Sequence, residues 1–354
     1  MTCKRVLTPL DTALQIVRHV NPPHANPLGI LHGGYMLSWI IDATTITSMK
    51  VARSYTLLAC MEDMVFISPV RIGDTVIITT WVEYVGRSSM ELSLIVETEN
   101  PERRERVLTT YSSLTMVSVD ESLRPKPLDV CIEPKSELER ELYERALERR
   151  EARKARIERR RELVGDTSPP RFLAGEYSIT SYFIVNPEDS IGYNVLHAGR
   201  LLKVLDEITG ITASRYAGNI VVTGSVNATD FYTPIKVGEV VEVKAGISYV
   251  GARSVEVLAK VLVRNPLTWD ARHAASSYFT FVSIGADGRS VPIRVFKPVE
   301  PWQYELLKEG FARRERRERL INMLRSKEFS MWINSLRDLF ARGNYNLGDG
   351  FKRL

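Results

Sequence analysis

One offset organises this 354-residue chain. Val20-Asn21-Pro22 recurs as Val185-Asn186-Pro187, His32 answers His197, Gly34 answers Gly199, and Phe66 answers Phe231. Tyr84-Val85-Gly86 recurs at Tyr249–Gly251, Asn100-Pro101 at Asn265-Pro266, and Val117-Ser118 at Val282-Ser283. Every pair is separated by the same 165 positions, with no gap over about a hundred residues. The chain must therefore fold as two copies of one unit, and its length suffices for two ordinary cores.

Each copy reads alike. A turn rich in Pro, Asn and Gly leads into a long apolar segment, over Tyr35–Arg53 or Arg200–Tyr216. That length, with its Leu, Met, Ile and Ala content, predicts a helix that is buried nearly all round. Strand-like runs follow in both copies, TVIITTWVEYV and SMELSLIVET in the first, VVEVKAGISYV and SVEVLAKVLVR in the second. Hairpin signals such as IGD and VGRS lie between them. One helix followed by a meandering antiparallel sheet implies an α+β unit in which the sheet wraps the helix.

After the first copy runs KSELERELYERALERREARKARIERRREL, which opens with a capping box, Ser136 and Glu139. Its interleaved Glu and Arg predict a solvated surface helix with an apolar stripe at Leu138, Leu142 and Ala146. The tail after Pro301 carries a similar charged helix, so the duplication includes one helix behind each core.

The chain carries 48 Lys+Arg against 43 Asp+Glu, a net charge of +5. That excess suits an anionic small ligand and is too weak to point to nucleic acid. No run of eighteen apolar residues predicts a membrane span. The N-terminal MTCKRVLTPLD lacks the apolar core of a secretory signal, and Cys3, Cys60 and Cys131 form no CxxC. A cytoplasmic chain with reduced thiols and neither a disulfide scaffold nor a metal site is expected.

These residues resemble the hotdog-fold acyl-CoA thioesterases, and within them the double-hotdog cytosolic (brain acyl-CoA hydrolase-like) family. The resemblance rests on Asn26 with His32-Gly33-Gly34 leading into a buried helix, on Phe66 and Pro69, and on VGRSSME from Val85 to Glu91. In the second copy it rests on LHAGRLLKVLDEITG and NIVVTGSVNATDF. It implies two tandem hotdog domains, at 8–125 and 171–298, each followed by a charged helical segment, 126–170 and 299–354.

The resemblance also implies reaction centres at the interface of the two hotdogs, each joining the Asn-to-Gly-Gly loop of one half to a helix acid of the other. In this sequence one centre combines Asn26 with Asp206. The other would combine Ile191 with Ile41, so it is degenerate. Asp206 would act as general base for a water, or as a direct nucleophile, and Asn26 would orient the water or the carbonyl. The N–H groups of Gly33 and Gly34 would face the oxyanion. Glu207 and its counterpart Asp42 stand beside the acid position and are read as capping or ion-pairing groups. His32 and His197 are expected to pack beneath their loops, neither being flanked by an acid. Arg87, Ser88, Ser89, Arg253 and Ser254, at the hairpin turns, are candidates to hold the phosphates of coenzyme A.

The expected activity is hydrolysis of acyl-CoA to CoA and fatty acid, a step of lipid metabolism, with no metal or organic cofactor, coenzyme A being part of the substrate. Two alternatives stay open: a hotdog hydratase or dehydratase, and a non-catalytic acyl-CoA-binding or sensing protein. The family plan further implies a homo-oligomer, three double-hotdog chains making a ring of six hotdogs.

Overall fold

The computed structural model describes residues 3–102, 105–159 and 165–342. The first copy contributes β1 (Arg5–Leu7), a short α1 (Pro9–Thr12), β2 (Leu14–His19), the helix α2 (Gly33–Ala52), β3 (Thr56–Met61) and β4 (Met64–Val65). The long strands β5 (Thr75–Val85), β6 (Ser89–Asn100) and β7 (Glu105–Ser118) follow, then β8 (Val130–Ile132) and helix α3 (Glu137–Arg159). The second copy repeats the plan with β9 (Ile179–Ile184), β10 (Ser190–Ile191), β11 (Val195–Leu196), α4 (Ala198–Ala217), β12 (Ile220–Val226) and β13 (Thr229–Asp230). It ends with β14 (Val240–Val250), β15 (Ser254–Arg264), β16 (Ala271–Ile284), α5 (Pro301–Leu324) and α6 (Lys327–Arg342).

Two six-stranded antiparallel sheets result, in the orders β13-β3-β7-β6-β5-β2 and β4-β12-β16-β15-β14-β9. Each sheet takes its end strand from the other copy: Thr229 pairs with Met61, and Ser225 with Val65. This exchange pairs what would otherwise be two free edges and joins the copies. The central helices α2 and α4 then lie against each other. A Cβ placed on Gly34 would stand 3.0 Å from the Lys203 backbone, and one on Gly199 3.1 Å from the Ser38 Cα. The repeated glycines let the helices meet at their N-terminal turns.

Inside each half the sheet wraps its helix, and Leu37, Ile40, Leu202 and Leu205 are fully buried. Both helices stop with a left-handed residue, Arg53 after α2 and Gly218 after α4, the ordinary way of satisfying the last carbonyls.

The outer faces of the sheets depart from the expectation of solvated helices. Glu83, Glu91, Glu97 and Glu256 are buried strand residues there, and helix arginines meet them. Arg149 pairs with Glu83, Arg153 reaches Glu91 at 2.7 Å, and Arg313 reaches Glu256 at 2.8 Å. Arg156 clamps the junction of the copies, 3.0 Å from Glu62 and 3.1 Å from Asp230. Removing one member of such a buried pair typically costs about 3–5 kcal/mol, because the other charge is stranded. The Arg/Glu pattern that reads as solvation is in part a charged seam. Residues 160–164, at the end of the predicted linker helix, lie outside the described residues, as do those beyond 342.

The tail also differs. It is two helices, broken at Arg325-Ser326, where Ser326 accepts the Phe329 N–H as a cap. Past the break α6 crosses to the first copy, packing Phe329, Ile333, Leu336 and Phe340 with Trp81 and Ile95 of its sheet. Cys3 and Cys131 form a disulfide alongside the parallel β1–β8 pair, against the expectation of reduced thiols, while Cys60 is free and buried. No helix among the described residues is long and apolar enough to cross a membrane.

Candidate functional site

A cavity of about 740 Å³ lies between the halves. The first copy gives it the loop from Asn26 to Gly33, Met36 of α2, and Phe66; the second gives Glu207 and Gly210 of α4, β12, and Phe281. Asn26 is held by its own turn: its Oδ1 accepts the N–H groups of Leu28 at 2.9 Å and Ile30 at 3.2 Å. An Asx turn of this kind consumes the acceptor and leaves the Nδ2 donors of the amide for the cavity.

His32 is the N-cap of α2 and accepts the Gly34 N–H at 3.2 Å. The same N–H donates to Asp206 Oδ2 at 2.7 Å, crossing from one copy to the other. Asp206 is fully buried, and its Oδ1 accepts the Thr223 hydroxyl at 2.8 Å. His32 Nδ1 stands 3.2 Å from Asp206 Oδ2. Burial pushes the Asp206 carboxyl above its ordinary value; His32, Thr223 and the Gly34 N–H oppose it, and burial prevails. A carboxylate at the positive end of a helix, tuned upward, is a stronger base than a surface aspartate.

Asp206 stands one layer behind the cavity wall, which is made there by Gly33, Thr223 and His32. A Cβ on Gly33 would fall 2.4 Å from Thr223 Oγ1. Gly33 thus gives the Thr223 hydroxyl room to reach the acid.

Two expectations change here. The Gly34 N–H is taken by Asp206 and His32, so of the glycine pair only Gly33, which lines the cavity, has an N–H with no hydrogen bond among the described residues. Both histidines do meet acids, through space from the opposite helix: His32 meets Asp206, and His197 meets Asp42 at 3.5 Å. Glu207 ion-pairs with Lys203 at 3.5 Å and also borders the cavity. Thr223 was not singled out by the sequence, although the copies carried the signal: its counterpart 165 positions earlier is Leu58.

The second interface, expected to be degenerate, encloses about 260 Å³. Ile191, Ile41 and Leu58 line it where the first has Asn26, Asp206 and Thr223. Burial lowers the His197 pKa against the pull of Asp42, and raises that of Asp42 against His197 and Arg18. Both shifts favour the neutral forms. Tyr55 of the first copy and Tyr193 of the second meet edge to face across this interface, with ring centroids 4.5 Å apart. Their counterparts, Ile220 and Leu28, instead flank an open depression that shares Ser214 and Ile220 with the larger cavity.

Arg87, Ser88, Ser89, Arg253 and Ser254 border neither cavity. Their turns are tied inside their own halves: the Arg87 carbonyl accepts the Leu128 N–H, the Ser88 carbonyl that of Ser118, and the Arg253 carbonyl that of Ser283.

Several known proteins are similar to this chain. The family model described as Thioesterase superfamily matches residues 28–104 and again 193–268. The cytosolic acyl coenzyme A thioester hydrolase of Homo sapiens is 29% identical over 313 residues, 84% of this chain and 81% of that protein. Protein VdlD of Helicobacter pylori is 34% identical over 141 residues, 40% of this chain and 80% of its own. A solved apo-hexameric acyl-CoA thioesterase is 38% identical, covering 43% of this chain and 97% of its own, with a TM-score of 0.41.

Proposed function

This chain belongs to the thioesterase superfamily and is an acyl-CoA thioesterase; from that premise we propose that it works at one composite centre, built from the Asn26–Gly34 loop of the first hotdog and from Asp206 and Thr223 of the second. The observation that carries the proposal is the buried Asp206 carboxylate, bound across the interface by the Gly34 N–H at 2.7 Å and within its own half by Thr223 at 2.8 Å. A buried acid in an apolar helix is costly, and Ile41 at the equivalent position indicates that the fold does not need it.

In the reaction, a water at the Thr223 hydroxyl in the cavity wall adds its oxygen to the thioester carbonyl carbon, and its proton passes through that hydroxyl to Asp206 behind it. Asn26 Nδ2 orients that water or the carbonyl. The oxyanion is stabilised by the Gly33 N–H and the N-terminal turn of α2, a kind of donor whose loss typically costs ~100–1,000-fold in rate. Collapse breaks the C–S bond, and the departing CoA sulfur recovers the proton from Asp206. Free fatty acid and CoA leave. The chemistry as written requires no metal or organic cofactor.

The His32–Asp206 contact favours one other reading, a hydratase or dehydratase, because those reactions use a histidine with an acid. His32 Nδ1 also accepts the Gly34 N–H, which makes it a cap as well as a partner. We further propose a cytoplasmic location, which the cytosolic name of the human relative supports, and a homo-oligomer of three chains, which sedimentation against the 40.2 kDa chain mass tests.

The test is thiol release from acetyl- to palmitoyl-CoA by the wild type and by Asp206→Asn. Turnover that falls about 1,000-fold in the variant supports the centre. Turnover that survives moves the base elsewhere, to Glu207 first. Tight ester binding without any thiol release would leave an acyl-CoA sensor, and hydration of an enoyl-CoA would leave the hydratase.

A further inference from the structure

The two interfacial cavities are lined by equivalent positions of the two copies, yet one is about 740 Å³ and the other about 260 Å³. Three lining glycines separate them: Gly33, Gly210 and Gly224 in the larger, against Ala198, Thr45 and Ala59 in the smaller. Two have local reasons. Gly33 makes room for Thr223. Gly224 lies where the β12–β16 register shifts, and a Cβ there would stand 3.3 Å from Val282.

Gly210 has no such reason. It lies inside α4, where glycine is a poor helix former. Its backbone is not left-handed, and a Cβ would meet only the Phe281 ring, at 3.4 Å, an ordinary contact. Neither the helix nor its packing demands glycine at 210. What the missing side chain leaves is cavity.

Gly210 follows Asp206 by four residues, so it lies on the same face about one turn on, about 6 Å along the axis. Beside Gly210, the cavity lining from α4 and the β12–β16 pair includes Ile211, Val222, Phe281 and Val282. Of the polar linings, Asn26, Ser68 and Thr109 belong to the first copy, while Glu207, Thr223 and Ser214 of the second are engaged by Lys203, Asp206 and the Asn219 carbonyl. Pantetheine amides need hydrogen-bond partners when buried, whereas an acyl chain needs none.

We propose that Gly210 sets which acyl chains this thioesterase accepts: the chain runs along α4 past Gly210 and against Phe281, and a side chain there shortens the longest usable substrate. This rests on the composite-centre reading and adds the direction in which the substrate lies. In the degenerate cavity Thr45 fills the equivalent volume.

The experiment measures kcat/KM for acetyl-, butyryl-, octanoyl- and palmitoyl-CoA in the wild type, Gly210→Ala, Gly210→Thr and Thr45→Gly. For the longest ester that the wild type hydrolyses, Gly210→Thr is expected to lose roughly ten- to a hundredfold, the scale of a few clashing methylene-sized groups. The shortest should stay within about twofold of wild type. Gly210→Ala should move the same way by less, and because its methyl fits an ordinary contact it carries the test if the threonine variant does not fold. Thr45→Gly should leave the profile unchanged. An equal loss at every chain length, or no loss at any, overturns the proposal while leaving the hydrolase reading intact. A wild type that releases no thiol from any ester overturns both.

Discussion

The two interfaces of this molecule share one frame and differ in what their walls hold. One has Asn26, Asp206 and Thr223; the other puts Ile191, Ile41 and Leu58 at the same positions and sets Tyr55 edge to face against Tyr193 across the interface. Since the same strands and helices build both, the apolar set serves as an internal control: the fold closes without any of the three polar groups. A fully buried carboxylate that the fold does not require is retained at a cost in stability, which is the usual mark of a working group. On the proposed reading the difference marks where chemistry was kept after duplication, and the predictions below attack it at successively weaker points.

Asp206→Asn carries the largest expected effect, in two opposed directions. Activity falls about 1,000-fold, while the thermal midpoint at neutral pH rises by about 2 °C. The sign follows from the raised pKa. Burial puts the folded-state value above the unfolded one, so ionisation is harder in the folded chain and weakens it. Below the ordinary carboxylate range the group is neutral in both states and the penalty vanishes. It grows as pH rises through the window between the unfolded and folded values, and is complete above the folded one. The melting advantage of the variant should therefore shrink on acidification. A variant that is less stable than wild type at pH 7, with no such trend, would make Asp206 a structural group.

Thr223→Val comes next. It removes the 2.8 Å hydrogen bond to Oδ1 without changing the side-chain shape. The expected loss in kcat/KM is about 10–100-fold. Because that bond favours the ionised carboxylate, its loss should raise the Asp206 pKa further and move the acid limb of the rate profile to higher pH. A purely structural threonine would lower the midpoint and leave the limb in place, so the pH profile decides.

Much of this architecture was legible because duplication writes the fold twice. A fixed offset revealed the two units, the apolar helices and the strand-like runs, and the resemblance pointed to Asn26 and Asp206; the exchange of end strands between the copies had no sign in it. What was missed depends on through-space contacts with no periodic signature. Thr223 is an unremarkable strand threonine until Asp206 is placed against it. Glu83 and Glu91 lie in ordinary strand patterns, and only the fold turns Arg149 and Arg153 onto them. The return of α6 was hidden because neither Gly nor Pro marks the break between Leu324 and Lys327, leaving Ser326 as a quiet cap. The acids facing His32 and His197 come from the opposite copy, beyond any local spacing.

The smallest expected effect is the sharpest control. Ile191→Asn restores to the degenerate loop the residue that the other loop uses, and should change kcat/KM by less than about twofold and stability by about 1 kcal/mol or less. An asparagine there regains a turn-forming side chain, but it still faces Ile41 and Leu58, which offer neither a base nor a hydroxyl. Adding Ile41→Asp would bury a second carboxylate at a fully buried position whose counterpart of Thr223 is a leucine, so the melting temperature should drop before any activity appears. A gain in turnover from Ile191→Asn alone would mean that Asn26 contributes without its acid across the interface, and the composite centre would have to be abandoned in favour of one built within a single half.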